Sequence, residues 1–292
     1  MGRTLSVIVA TWNGEETIGE QLEALAGQTY DGSWELIVAD NGSSDRTLEI
    51  ARAFKDKMPH LRVIDASARR GPGAAYNIAA TVAAGDAFLF CDQDDVVQPG
   101  WLGAMAAALE RHHLVAGEIQ FLGVMHPEKA SPSTKGHVTG SGGREKSGHD
   151  FFAFLPYGLT ANLSVSRTAL ERVAGFDEKL PTEDVDFCWR VQLAGFDLHV
   201  EPAAIVLKRR RERLEEVWRQ HFRYGIVHPI LFKKFRRYGM PRNLGRAARQ
   251  YAWLLLHVGD FFIGERQGVW LRVAAGQMGR LVGSVRVGTL YL

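Results

Sequence analysis

Short apolar runs alternate with amphipathic stretches over the first two-thirds of the chain. Four runs rich in Val, Ile, Leu and Phe predict strands at 5–11, 34–39, 61–65 and 87–91. Apolar residues three or four positions apart, or runs of small residues, predict helices at 15–27, 47–54, 74–84 and 101–112. Because strands and helices alternate, the pattern indicates an α/β fold with a mostly parallel sheet.

The pattern changes after the fourth strand. Further strands are predicted at 118–124, 158–166 and 198–207, and further helices at 167–173 and 185–193. Residues 125–150 are rich in Gly, Ser, Lys and His without periodicity, which favours a lid or a flexible insertion equally. The rest is predicted to be helical, with breaks at Pro229, Pro241 and several glycines. We therefore expect an α/β domain over 1–207 and a helical region over 208–292.

Composition is ordinary for a globular protein, but charge is uneven. Of the 292 residues 46% are hydrophobic and 23% are charged, which excludes a disordered tail or a coiled coil. The net charge is only +2, yet from residue 208 onward there are 18 Lys and Arg against five Asp and Glu. The C-terminal region is therefore distinctly basic.

Aromatic side chains alternate with the basic ones in this region. The aromatic members are Trp218, Phe222, Tyr224, Phe232 and Phe235. Such a mixture is typical of contact with an anionic membrane surface or an anionic lipid, and equally of packing against the first domain or a second subunit in a homodimer. Nucleic acid is the least favoured partner.

The cysteines and the apolar segments bear on location. Cys91 and Cys188 lie in apolar segments without metal-ligand spacing, so we expect buried thiols and a reducing cytoplasm. The first ten residues lack the features of a secretory signal. The most apolar stretch, 251–263, contains His257, Gly259 and Asp260, so we expect no membrane-spanning helix. A cytoplasmic protein is expected, with peripheral contact at the inner face of the cell membrane as an open alternative.

Polar clusters follow the predicted strands. Asp92-Gln93-Asp94 comes directly after the fourth strand, where two carboxylates can bind Mg²⁺ or Mn²⁺ together with a substrate diphosphate. A structural turn is the alternative. Since parallel strands place their carboxyl ends at one edge, we expect this cluster, Asp40 and the end of the first strand to meet in one crevice.

The other candidates are weaker individually. Asp40 suits a ribose hydroxyl or a base edge, and also a turn; Trp12 suits stacking on a nucleobase, and also packing. Arg70 precedes a predicted helix start that suits a phosphate, although solvated basic loops are common. Glu183-Asp184 opens a helix, where a carboxylate either complements the helix dipole or accepts a proton from an attacking hydroxyl.

Five ordered segments resemble the inverting glycosyltransferases of family 2, which have the GT-A fold. They are SVIVATWNGEETI, ELIVADNGSSDRT, RRGPGAAYNIAA, FLFCDQDDVVQPGWL, and TANLSVSRTALERVAGFDE followed by TEDVDFCWRVQLAGF. The resemblance spans residues 5–206. It implies an enzyme of the hexosyltransferase type that acts in polysaccharide or glycoconjugate biosynthesis.

The resemblance also implies roles for particular residues. It puts the nucleoside near the end of the first strand, the diphosphate and metal near the fourth, and the general base at the start of the 183–193 segment. The residues are Thr11, Trp12, Glu15 and Asp40 for the nucleoside, Arg70, Asn77, Asp92 and Gln93 for the rest of the donor, Asp92 and Asp94 for Mg²⁺ or Mn²⁺, and Asp184, with Glu183 less favoured, for the base.

The implied reaction is a single displacement with inversion. An acceptor hydroxyl attacks the anomeric carbon of a UDP-, dTDP- or GDP-sugar, and the acceptor is a saccharide, a lipid-linked saccharide or a small molecule. Two alternatives stay open: a sugar nucleotidyltransferase, although TWNGEETI is acidic where that class is Gly-rich and basic, and a catalytically silent nucleotide-sugar-binding module.

One position departs from the family pattern. Many relatives have a histidine after the strand predicted at 198–207, where this chain has Lys208-Arg209-Arg210-Arg211. A histidine metal ligand at this point is therefore not expected, and a lysine or arginine there can supply positive charge to the diphosphate.

Overall fold

The computed structural model describes residues 3–121, 152–209, 213–242 and 244–291. The predicted lid or insertion at 125–150 lies outside these residues. The described residues form two compact units. The first contains 3–121, 156–179 and 183–209, and the second contains 152–155, 180–182, 213–242 and 244–291.

A single eight-stranded sheet forms the centre of the first unit, in the order β3-β2-β1-β4-β7-β6-β8-β5. Its strands are β1 (Leu5–Thr11), β2 (Trp34–Asp40), β3 (Leu61–Asp65), β4 (Ala87–Asp92), β5 (Val96–Val97), β6 (Leu114–Phe121), β7 (Leu163–Ser166) and β8 (Leu198–Lys208). The first four are parallel neighbours, and β7 and β5 run antiparallel to their partners. The predicted α/β class and mostly parallel sheet are confirmed.

Helices cover both faces of this sheet. They are α1 (Ile18–Ala26), α2 (Thr47–Ala53), α3 (Pro72–Val82), α4 (Trp101–Leu109), α5 (Arg167–Arg172) and α6 (Glu183–Leu193). Side chains alternate across β1, so Val7 and Val9 join the core beneath α1 and α4 while Ile8 joins the core beneath α3. The strands are therefore apolar on both faces, which explains their continuous apolar runs.

Strand register aligns the polar strand ends. Thr11 at the end of β1 pairs with Asp40 at the end of β2, and Ala10 pairs with Asp92 at the end of β4. Asp40 in turn pairs with Asp65 at the end of β3. The predicted convergence of these polar clusters at one edge of the sheet is confirmed.

The second unit is helical. It contains α7 (Leu214–Phe235), α8 (Leu244–Leu256) and α9 (Gly264–Val287), with short 3-10 turns between them. Gly225 of α7 lies so close to Gly279 of α9 that a Cβ on Gly225 would meet the Gly279 Cα at 2.9 Å. Glycines thus allow the two helix backbones to approach directly. No helix among the described residues combines the length and apolarity needed to cross a bilayer.

Several sequence predictions need correction here. Pro229 was predicted to break a helix, but it lies inside α7, where it is buried. The strand predicted at 118–124 begins four residues earlier, at Leu114, and its last three positions lie outside the described residues. The strand predicted at 158–166 is shorter, because a 3-10 turn occupies Thr160–Asn162 before β7.

The aromatic side chains of α7 do not share one environment. Phe232 and Phe235 are buried, whereas Trp218 and Phe222 are half-buried. Part of the aromatic content therefore serves packing within the second unit. The two cysteines are free and buried as predicted, and burial raises the pKa of both thiols.

Candidate active site at the carboxyl ends of the strands

The loops that follow β1 and β2 are joined by side-chain-to-backbone hydrogen bonds. Asn13 Oδ1 accepts from the Ser44 backbone N–H at 2.8 Å, and Thr47 Oγ1 accepts from Gly14 at 2.8 Å. Glu15 accepts from the Arg46 backbone N–H at 3.0 Å. Small polar residues bond readily to nearby backbone in this way. The two loops therefore form one wall along the strand-end edge of the sheet.

Asp40 is buried within this wall. Its carboxylate accepts from the backbone N–H groups of Gly42 and Ser43 at 3.2–3.3 Å, which is the turn role that the sequence left open. Asp40 also lies beside Thr11 in the sheet. A nucleoside contact by Asp40, Thr11 or Glu15 stays a prediction.

Gln93 ties the end of β4 to the end of β1. Its Oε1 accepts from the Trp12 backbone N–H at 2.9 Å and bonds the Thr11 hydroxyl, and its Nε2 donates to the Trp12 carbonyl at 3.1 Å. A Cβ at Gly14 would clash with the Gln93 amide in this position, so glycine leaves room for the amide to reach Trp12. The Trp12 side chain is 54% exposed, which leaves its ring accessible for stacking.

Arg70 and Asn77, predicted to line the diphosphate region, have different surroundings. Arg70 is exposed. Asn77 donates to the Phe176 carbonyl at 3.0 Å and to Glu178 Oε1 at 2.9 Å, and accepts from the Phe176 N–H at 2.8 Å. The Asn77 amide thus holds α3 to the loop before α6, and its contact with the donor stays a prediction.

Three aspartates cluster after β4. Oxygen atoms of Asp92, Asp94 and Asp95 lie within 4.8 Å of one another. Lys208, the last residue of β8, places its Nζ 3.1 Å from Asp92 Oδ2 and 2.8 Å from Asp95 Oδ2. The other Asp95 oxygen is buried without a hydrogen-bond partner among the described residues. Carboxylate oxygens at this spacing fit a hard divalent cation.

Burial and neighbouring side chains shift pKa values around the aspartate cluster and hold the cluster in position. Burial raises the pKa of Asp95 to about 7, against the opposing effect of Lys208. The Tyr76 hydroxyl donates to Asp92 Oδ1 at 3.3 Å, and burial raises the pKa of this phenol. Gln21 fixes the loop backbone, because it donates to the Asp92 carbonyl at 3.2 Å and accepts from Val97 N–H at 3.0 Å. The cluster is therefore held in place from three sides.

The acidic pair Glu183-Asp184 begins α6. Glu183 is buried, and burial followed by the Asp184 charge raises its pKa well above the ordinary value. Burial also raises the pKa of Asp184 to about 6, and the charge of Asp92 contributes. Because the Asp92 charge acts on both groups, the β4 cluster and the α6 pair belong to one electrostatic site.

From the sequence, the spacing of four residues between Asp186 and Arg190 predicts a pair on the helix surface, but the structure buries this pair. Asp186 is fully buried, and Arg190 Nε donates to it at 2.6 Å. Arg190 also donates to the Val173 and Gly175 carbonyls at 2.7 and 2.8 Å, just past the end of α5. The prediction is wrong because α5 packs over this face of α6 and leaves carbonyls that need a donor.

Sequence reasoning missed several residues of this region. Asp95, Tyr76 and Gln21 were given no role, although Asp95 directly follows the predicted metal pair. Asn41 was also missed: it accepts from Gly71 N–H at 2.8 Å and donates to the Ala66 and Arg69 carbonyls, which shapes the loop before α3. Their partners are distant in sequence, so only chemistry at strand ends could have pointed to them.

Comparison with known protein families gives two matches. Residues 6–156, just over half of the chain, match glycosyl transferase family 2, and residues 87–275 match glycosyl transferase family group 2. Both matches include the β4 cluster.

Curated relatives cover parts of the chain. The poly(ribitol-phosphate) beta-N-acetylglucosaminyltransferase TarS of Staphylococcus aureus is 37% identical over 110 residues, which are 37% of this chain and 19% of TarS. The glycosyltransferase AglE of Haloferax volcanii is 29% identical over 207 residues, 66% of this chain and 63% of AglE. The chain thus spans about a fifth of TarS and under two-thirds of AglE.

Solved structures share the fold over nearly the whole chain. The mannosyltransferase PcManGT of Pyrobaculum calidifontis, in complex with GDP-Man and Mn²⁺, has a TM-score of 0.69 at 18% identity and covers 97% of this chain and 87% of its own. Residues 1–349 of S. aureus TarS, in complex with UDP-GlcNAc, have a TM-score of 0.57 at 21% identity and cover 99% and 93%. Together the family match and the shared architecture show that this chain has the GT-A fold and belongs to glycosyl transferase family 2.

Proposed function

We propose that the protein transfers a sugar from a nucleoside diphosphate sugar to an acceptor hydroxyl with inversion, with Asp184 as the general base. Residues 1–207 would form the catalytic domain and 208–292 the C-terminal region. One arrangement carries the proposal: the Tyr76 hydroxyl of α3 donates to Asp92 at 3.3 Å, and Gly73 of the same helix lies against the side chain of Glu183, next to Asp184. This supports one site for a cluster suited to the donor diphosphate and a candidate base.

The protonation states favour Asp184 over Glu183 as the base. A base must be ionised at working pH and still accept a proton readily. The pKa of about 6 leaves Asp184 mostly ionised at neutral pH, whereas burial and the neighbouring charge hold Glu183 towards its neutral form. Asp184 would take the hydroxyl proton as the acceptor oxygen bonds to the anomeric carbon, while the bond to the diphosphate oxygen breaks and the diphosphate leaves with its electron pair.

The donor would lie along the strand ends. Thr11, Trp12, Glu15 and Asp40 would face the nucleoside, and Arg70, Asn77, Asp92 and Gln93 the remainder of the donor. Asp92 and Asp94 would hold Mg²⁺ or Mn²⁺, whose charge stabilises the departing diphosphate when it is bound. The exposed Trp12 ring offers a stacking surface for the base.

The relatives narrow the donor class. Solved structures of the same fold hold UDP-GlcNAc in TarS and GDP-Man in PcManGT. UDP- and GDP-sugars are therefore the first donors to test here, with dTDP-sugars next, and the acceptor is a saccharide, lipid-linked or free, or a small molecule. The name of TarS makes a poly(ribitol-phosphate) chain one acceptor to include.

A membrane surface is the proposed partner of the C-terminal region. Leu255, Leu256 and Phe262 are about 80% exposed within one short stretch, and Arg249 and Arg266 lie near them in sequence. Apolar side chains beside cations suit an anionic lipid surface. The protein should sediment with anionic vesicles, and this binding should be lost in Leu256→Ser with Phe262→Ser. Binding retained by that variant would contradict the contact proposed for these side chains, and absence of binding by the wild type would favour a homodimer contact.

The deciding experiment is calorimetric binding of UDP, GDP and dTDP with Mn²⁺, followed by transfer from the matching sugar donor. Binding of one nucleotide, with transfer and release of the nucleoside diphosphate, supports the transferase. Release of pyrophosphate from a nucleoside triphosphate and a sugar phosphate would instead favour the nucleotidyltransferase. Binding without transfer to any acceptor would favour a silent module.

A further inference from the structure

The position of Lys208 is fixed by the same corner of the sheet that carries the aspartates. Leu207 of β8 pairs with Val96 of β5, the strand that begins directly after Asp95. Only a quarter of the Lys208 side chain is exposed. Its ammonium group contacts Asp92 at 3.1 Å and Asp95 at 2.8 Å, so two of the three clustered carboxylates already have a cationic partner.

A divalent cation at this cluster would have to bind next to that ammonium group. Two cations a few ångströms apart repel each other, and a mostly shielded position weakens the screening by water. Asp92 would also have to divide its oxygens between Lys208, the Tyr76 hydroxyl and the metal. By contrast, Asp94 makes no hydrogen bond or ion pair among the described residues, which leaves it the most available ligand.

We propose that Lys208 is a built-in counter-cation of the Asp92, Asp94 and Asp95 cluster, and that it lowers the affinity of the cluster for a divalent metal ion. It thereby raises the concentration of divalent metal ion that metal-dependent donor binding requires. This inference rests on the proposed function only for its consequence in catalysis, because metal binding itself is measured without a sugar donor.

The test compares substitutions of two neighbouring cationic residues, Lys208 and Arg209. Lys208→Met removes the charge in contact with the aspartates. Arg209→Met removes the same charge one residue later, where the side chain pairs with Glu20 instead. Mn²⁺ binding to the full chain is measured without nucleotide, by calorimetry or by the spectrum of free Mn²⁺. The buffer contains about 0.15 M salt, in which exposed charges more than about 8 Å apart are largely screened from each other.

We expect Lys208→Met to bind Mn²⁺ at least five-fold more tightly than the wild type, and Arg209→Met to stay within two-fold. A smaller change in Lys208→Met, or an equal change in both variants, would overturn the proposal. Thermal unfolding checks that each variant folds, since loss of Lys208 leaves Asp95 buried without a cation.

A charge-balanced variant keeps the test decisive if Lys208→Met does not fold. Asp95→Asn with Lys208→Met removes both members of the buried pair and leaves Asp92 and Asp94 as ligands. It should bind Mn²⁺ at least five-fold more tightly than Asp95→Asn alone, and a smaller difference counts against the proposal. Failure of the wild type to transfer any sugar would contradict the proposed function without altering this comparison.

Discussion

Two sets of acidic residues lie at the same site, but their surroundings differ. The aspartates after β4 are in contact with Lys208, and their carboxylates are drawn together at the end of a strand. Glu183 and Asp184 begin α6 and form no ion pair among the described residues. Burial raises the pKa of Asp95 too, but there the contacting Lys208 opposes the rise, whereas no contacting cation in the described part of the chain opposes the raised pKa values of Glu183 and Asp184. The difference separates a group suited to bind charge from one suited to move a proton.

The largest expected effect comes from removing the proton acceptor. Asp184→Asn should lower the transfer rate by about 10²–10⁴-fold, the usual contribution of a positioned general base. Nucleoside diphosphate affinity should change by less than about two-fold, because the Asp184 role is in proton transfer. Steady-state kinetics and calorimetry measure the two effects.

The exposed Asp31→Asn serves as the control, since it makes the same chemical change far from either acidic group in sequence. Near-normal transfer by Asp184→Asn would exclude it as the base and would remove the distinction drawn between the two groups.

Removal of the most available cluster ligand is expected to have the next largest effect. Asp94→Asn should lower kcat/KM by about 100-fold at limiting Mn²⁺, because a metal that polarises the leaving group is worth several kcal/mol. High Mn²⁺ should restore part of the activity. If Mn²⁺ binding and turnover both equal the wild type, Asp94 is not a ligand.

The pH profile tests the raised pKa of Asp184 directly. A base acts in its ionised form, so kcat/KM should level off above about pH 6 and fall roughly ten-fold per unit below it. The rate of transfer between pH 4.5 and 8, with circular dichroism to confirm that the fold persists, checks this. A flat profile between pH 5 and 7 would contradict the assignment.

The smallest effect on catalysis is expected at Glu183. Glu183→Gln should change transfer by less than about ten-fold, yet it should stabilise the protein at alkaline pH. The raised pKa means that the carboxyl contributes most to stability below its ordinary pKa, and that this contribution is lost as pH rises towards the raised value. The amide side chain of the Glu183→Gln variant is neutral at every pH.

The melting temperature of Glu183→Gln relative to wild type should therefore rise from pH 5 to pH 8, by about 2–4 °C for each kcal/mol. Glu49→Gln, on the exposed side of α2, should show no such trend. An offset that is independent of pH would mean that Glu183 is not held towards its neutral form.

Much of this site could be predicted from the sequence because it is built from local signals. An apolar run followed by Asp, Asn or Gly marks the carboxyl end of a parallel strand, and these ends share one edge of the sheet. The register of Thr11 with Asp40 and of Ala10 with Asp92 realises that expectation. The strand boundaries of β1 and β3 coincide with the predicted ranges for the same reason.

What failed was prediction of how side chains are used. The bonds of the Asn77 amide to Phe176 and Glu178, about 100 positions away, were not foreseen, while its contact with the diphosphate stays a prediction. Asp186 was placed on a helix surface, although the packing of α5 buries it. Pro229 was taken as a break, while close packing of α7 on α9 keeps the helix continuous around it.

The sequence by itself determined the α/β class, the strand ends and the types of side chain gathered there, because periodicity and turn chemistry are local properties. Only the tertiary structure decided which carboxylates are buried, which carboxylates interact electrostatically and which are in contact with a cation. Lys208 and Asp92 are 116 positions apart, and burial depends on every element packed around a group. Charge interactions follow distance in space and exclusion of water, and neither is written in the order of residues.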